Sequence, residues 1–312
     1  MRVNSRHVMR FMAYGAFAMF SLLVSLYFTF PVDALGQRLE NEIRKTTKGA
    51  INVSLKNFSF YRLSGVQAKD VQLTLVKEGG KEIVLKLEAL KARINILPLL
   101  LLRKSLSAYM LIGGGELSAE LDLNGKDLDF SLTSENVVLE KIPFIQDYVG
   151  MPLSGTLSGE VEMEWRQNIA KSKGRVDIDI AKLSLGAGSF SGFSIPALNM
   201  GNVAAEMDLE KGKFKLKTFK QVGGDVSARL HLSSDLRPSI MASSLDACAE
   251  FKLDKGLLDK NPNLKTALQL AEVQLKKDDK DYLHAAFRGT MSRPRLRRQV
   301  LCSESSKSQK KK

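Results

Sequence analysis

Hydrophobic and polar positions divide the chain into two regimes. From Phe11 to Val32 no residue carries a charge, and the run FMAYGAFAMFSLLVSLYFTFPV is apolar on every face of a helix. At 1.5 Å per residue the stretch Phe11–Phe30 spans ~30 Å, about one hydrocarbon core. Leu35, Leu39 and Ile43 then recur at i, i+4 and i+8 between Arg38, Glu42 and Lys45, which predicts an amphipathic helix over Asp33–Lys48, stopped by Gly49. Beyond Gly49 period two takes over. Val71, Leu73, Leu75; Leu85, Leu87; Val161, Met163, Trp165; Val176, Ile178, Ile180; Phe214, Leu216; and Val226, Ala228, Leu230, Leu232 each alternate with polar neighbours. Each run predicts a half-buried strand, and one-sided strands predict antiparallel pairing, because parallel strands are usually apolar on both faces.

Helical signals inside this region are few. Leu97–Lys104 predicts a short apolar turn and Val138–Gly150 another around Pro143 and Phe144. Leu257–Val273, with Leu264, Leu268 and Ala271, predicts a late helix begun at Asn261-Pro262. A phrase also recurs. GELSAELDL from Gly115, GTLSGEVEM from Gly155 and GDVSARLHL from Gly224 share a glycine followed by apolar residues at +2, +6 and +8, and GTMS from Gly289 begins it again. The copies are unevenly spaced, so they predict similar strands in an elongated sheet rather than a regular solenoid, and chance likeness among generic strands accounts for them equally well.

Composition then narrows the setting. The net charge of +13 resembles a nucleic-acid signal until it is divided along the chain. Residues 1–10 hold three Arg and no acid, and residues 293–312 hold eight basic residues against Glu304; the 282 residues between carry only +3. No basic face is therefore expected on the folded part, and no nucleic-acid partner. Arg2, Arg6 and Arg10 before the apolar run put the N-terminus in the cytoplasm and the bulk of the chain across the membrane, in a bacterium the periplasm. A cleaved signal peptide competes with an uncleaved anchor, since Val32-Asp33-Ala34 offers small residues at a cleavage point. The length of the run and Tyr14 and Tyr27 near its ends favour the anchor. Phe11, Leu22, Leu23 and Phe30 are its expected membrane-anchor residues.

Candidate chemistry is sparse. Cys248 and Cys302 are the two cysteines; an oxidising compartment permits their pairing, but Cys302 falls in a tail, 299–312, expected to be disordered, which weighs against it. With His7, His231 and His284 scattered, no conventional zinc site is expected. His231 and His284 fall on wet or rim strand positions far from any nucleophile-elbow pattern. Glu160, Glu162 and Glu164 lie on one strand face, more simply solvated and ion-paired than catalytic. Gly113-Gly114-Gly115 lacks the Lys-Ser or Lys-Thr of a phosphate loop and is expected to be a turn. No catalytic constellation and no cofactor are expected. With so few helices to cover ten or more strands, the apolar face must close as a sandwich or stay open as a groove, and an open apolar groove binds something. Val161, Met163, Trp165, Leu230 and Leu232 are its expected lining.

The order of these features is a recognisable one. The basic start, one span, the amphipathic helix, SGVQAKDVQLTLV, ARINILPLLLLRKSLSAYMLIGGGELSAELDLNG, IPFIQDYVGMPLSGTLSGEVEMEW and the terminal FRGTMSRPRLR resemble the type II secretion system protein N family across roughly residues 10–298. They also look like AsmA-like proteins, whose elongated, curved β sheets are associated with lipid handling between membranes. The resemblance implies a mainly β architecture: one N-terminal transmembrane helix (11–32), then a periplasmic domain (33–298) built as a curved antiparallel sheet, half-barrel or groove. It further implies a non-enzymatic inner-membrane component of the secretion machinery, with other subunits of that machinery as partners. The alternative it carries is a lipid-binding or lipid-transfer module taking acyl chains. No family binding residue transfers to a numbered position here.

Overall fold

In a computed structural model the described residues are 14–15, 17–22, 25, 29, 31–62, 64–76, 82–95, 98, 103–142, 145–146, 150–190 and 193–302 without 238. The described residues between 14 and 29 are helical, and Tyr14, Phe17, Met19, Phe20 and Leu22 expose 61–73% of their surface. Phe11, Leu23 and Phe30 lie outside the described residues. Among the described residues no helix is long and apolar enough to cross a membrane. The amphipathic pattern forms helix α1, Val32–Thr46, as expected.

The alternating runs form one antiparallel sheet that meanders almost in chain order. Its strands are β1 (Ile51–Tyr61), β2 (Gly65–Val76), β3 (Glu82–Ile94), β4 (Lys104–Ile112), β5 (Gly115–Asn124), β6 (Asp127–Val138), β7 (Leu153–Trp165) and β8 (Lys173–Leu185). A separate hairpin of β9 (Gly188–Phe190) and β10 (Phe193–Ile195) follows, after which the sheet resumes with β11 (Leu198–Glu210), β12 (Lys213–Val222), β13 (Val226–Asp235) and β14 (Ser244–Leu253). Helices α2 (Lys255–Lys260) and α3 (Pro262–Glu272) lead to β15 (Lys276–Lys277), β16 (Leu283–Thr290) and β17 (Arg293–Arg297). Neighbours run β1 to β8, then β11 to β14, then β16, whose outer edge takes both β15 and β17. Among the described residues β1 does not pair with the β16 end, so the sheet is open. The expected late helix is split because Asp254 caps α2 through the N–H groups of Gly256 and Leu257, while Pro262, lacking an N–H, starts a new helix.

Compactness is low. The chain exposes 21236 Å², against roughly 13,000 Å² for a compact chain of this mass. Buried apolar clusters sit where helices lie on the sheet. At one end Val32 and Leu35 of α1 pack with Phe58, Ala68, Val71 and Leu87, and the Glu40 carboxylate accepts from the Leu55 N–H of the edge strand at 2.6 Å. At the other, Leu257, Leu258, Leu264 and Leu268 of α2 and α3 cover Val226 and Leu253. Asn57, Asp70, Asn136 and Lys182 adopt positive φ within β1, β2, β6 and β8, and register shifts flank several such positions. Bulges of this kind bend a strand and increase its twist.

Three expectations for the C-terminal part are corrected. Cys248 and Cys302 form a disulfide, and the chain remains packed beyond Arg298, with the Gln299 side chain donating to the carbonyls of Glu272, Val273 and Leu275. Residues 299–302 are held because carbonyls at and just beyond the end of α3 need a donor. His284, expected on a wet or rim face, is only 4% exposed. It lies under the returning segment, its Nδ1 accepting from the Cys302 N–H at 3.2 Å. His231 is exposed on β13 as expected.

Candidate functional site

Between the two helix-covered ends, no second layer of described residues lies over the apolar face of the sheet. Residues directly paired across strands project from the same face. One row runs Ile94, Leu106, Leu121, Phe130, Met163, Gly174, Leu209 and Phe214 across β3 to β12. The adjacent row runs Ala92, Ala108, Ala119, Leu132, Val161, Val176, Met207 and Leu216. Apart from Leu209, which is 1% exposed, these side chains are half-buried or exposed; Leu106 stands 39% and Ile94 48% open. A sandwich would bury such rows, and this sheet leaves them at the surface.

Of the five expected lining residues, Val161, Met163 and Trp165 share this face on β7, paired with Leu132, Phe130 and Leu128. Leu230 and Leu232 project from the same face of β13, opposite Ala249 and Ala247, but β8, β11 and β12 separate them from the first group. All five are half-buried. Sequence reasoning missed Leu121, Phe130, Leu132 and Met207, which complete the rows. Leu121 falls within the recurring phrase from Gly115, whereas Phe130, Leu132 and Met207 fall outside every run singled out, and pairing register is what places them in the rows.

The opposite face is polar and largely neutralised. Arg175 pairs with Asp177 at 2.7 Å and Glu206 at 3.2 Å, Lys217 with Asp208, and Arg166 with Glu164 at 3.2 Å and with Asp129. Hydrogen bonding to Asp129 pushes the Arg166 guanidinium still higher in pKa. Glu162 stands directly across from Arg175 and Glu164 from Lys173, so the acidic run on β7 belongs to a laddered charge surface. Cys248, His284 and Cys302 bring candidate metal ligands within 4.8 Å of one another, but both sulfurs are consumed in the disulfide, which makes the group a covalent staple.

No family model, no curated protein and no solved structure matches the chain.

Proposed function

We propose that the protein is a non-enzymatic, membrane-anchored periplasmic component of the type II protein secretion system, and that its working surface is the uncovered apolar face of the sheet. The observation that carries this reading is the pair of half-exposed apolar rows across β3 to β12. An apolar area of that extent on a folded chain marks an interaction surface. The exposed, helical Tyr14, Phe17, Met19, Phe20 and Leu22, in a charge-free run behind three Arg, supply the tether, and the order of motifs over residues 10–298 supplies the secretion assignment. Bulges across the strands favour a curved groove over a flat plate. Deleting the gene is expected to leave folded exoproteins in the periplasm while outer-membrane lipid composition stays normal. Unchanged secretion in the deletion strain overturns the assignment.

The same face favours a second reading, in which acyl chains are the occupant and the protein handles lipid between membranes. In that case the full-length protein, extracted in mild detergent, retains lipid by mass spectrometry, and Val161→Asp or Leu230→Asp abolishes the retention without unfolding the chain. Lipid-free wild-type protein removes this reading and leaves the first standing.

A further inference from the structure

The polar face contains one region that its charge ladder does not explain. Over β3 to β6 it is hollowed into a cleft of about 540 Å³. The hollow arises where long side chains give way to short ones along two adjacent rows. One row runs from Arg93 through Ser107 and Glu120 to Ser131, the other from Lys91 through Tyr109 and Ser118 to Thr133. The floor thus carries hydroxyls with the Glu120 carboxylate among them, and the near wall carries cations.

Arg166, Arg175 and Lys217 on this face have carboxylate partners. Among the described residues Lys91 and Arg93 have none, and unlike Lys173 and Lys215, which also lack one but stand exposed, both are half-buried. Lys91 is held instead by aromatic faces, its Nζ lying 5.4 Å from the Tyr61 ring centroid and 5.5 Å from that of Tyr109. The Tyr109 hydroxyl is engaged by Glu116, whose hydrogen bond raises its pKa, so the ring and not the hydroxyl serves Lys91. Both cations are half-buried, and a half-buried cation without a counter-charge is a costly arrangement unless an anion completes it.

We infer that this cleft binds a phosphate-bearing anion, with Lys91 and Arg93 supplying the charge and the hydroxyls of Ser107, Ser118, Ser131 and Thr133 the neutral donors. A planar guanidinium donates to two phosphate oxygens side by side, an ammonium acts as a point charge, and hydroxyls rotate to donate to whichever phosphate oxygens remain. Glu120, on the same face, repels a second anionic group, so one phosphate fits better than a polyphosphate or a nucleic-acid backbone. The phosphate can belong to a lipid headgroup or to a soluble ester, and the site is independent of what occupies the apolar face.

Isothermal titration of the full-length protein in a non-ionic detergent, with glycerol phosphate and with dihexanoyl phosphatidylglycerol as probes, tests this. Wild type is expected to bind at least one probe, and Lys91→Gln combined with Arg93→Gln to weaken binding at least tenfold with an unchanged circular-dichroism spectrum. Ser118→Asp, which adds a negative charge to the floor, is expected to weaken it likewise if the double variant fails to fold. Lys213→Gln, whose lysine is already paired with Asp235, leaves binding unaltered. Equal affinity for both probes assigns the site to the phosphate group alone, and tighter binding of the phospholipid assigns it to a headgroup. Binding of neither probe by wild type, or equal binding by the cleft variants, overturns the proposal.

Discussion

Cys302 and His284 illustrate how a residue's meaning depends on what folds over it. A cysteine in a basic, polar tail reads as disordered, yet Gln299 docks on the end of α3 and delivers Cys302 to Cys248. Closing a loop over a sequence separation of 54 restricts the unfolded chain by up to ~4 kcal/mol. Cys302→Ser is therefore expected to lower the denaturant midpoint, and reductant to lower wild type to the same point; an unchanged midpoint contradicts the staple. Asp278 gives a second residue-scale prediction. Burial pushes its pKa up, but the N–H groups of Tyr282 and Lys280 and the nearby His284 outweigh that and hold it below the usual carboxylate range. Because the folded value is depressed, its charge stabilises the fold above the ordinary carboxylate value, and that contribution is lost as pH falls through the folded value. Asp278→Asn should lower the melting temperature at neutral pH, with the gap to wild type closing below about pH 4; a pH-independent gap contradicts this. The recurring glycines were legible as a phrase but not as a cause. A Cβ on Gly115 would lie 2.5 Å from the Glu135 carbonyl oxygen, and one on Gly224 2.5 Å from that of Asn199. These contacts come from β6 and β11, which a linear pattern does not name.

At the scale of elements, the period-two runs were the most readable part of the chain. Those over Val71–Leu75, Val161–Trp165, Val176–Ile180 and Val226–Leu232 all fall within strands, because alternation reports a one-sided environment directly. Short or irregular elements were not readable. The β9–β10 hairpin is too brief for a period to register. The β12–β13 junction pairs only from Lys213 to Lys215 with Asp235 to Ser233. Beyond those pairs the Gln221 side chain stands in for the missing ladder, donating to the carbonyls of Met200 and Val226 and accepting from the Ala228 N–H at 2.6 Å. Gln221→Ala leaves those backbone groups without their partner and is expected to cost about 1–3 kcal/mol. Hydrogen exchange should show β13 opening faster than β11 in the variant. Equal protection of the two strands would mean that the junction holds without the side chain.

For the whole molecule, the decisive feature is a surface far larger than a compact chain of this size presents. The antiparallel sense followed from the sequence, whereas strand number and the choice between a closed sandwich and an open sheet required knowing which strands pair. The open arrangement puts Val161 and Leu230 on one continuous face without bringing them into contact, and it spreads the candidate site over many strands instead of gathering it into a pocket. The central claim is that this face is the working surface of a secretion component. Its most direct test is complementation of a deletion strain with Val161→Asp, monitored as the ratio of periplasmic to extracellular exoprotein at matched levels of the protein. The account predicts that folded exoproteins remain in the periplasm. Secretion restored to the wild-type ratio would contradict it.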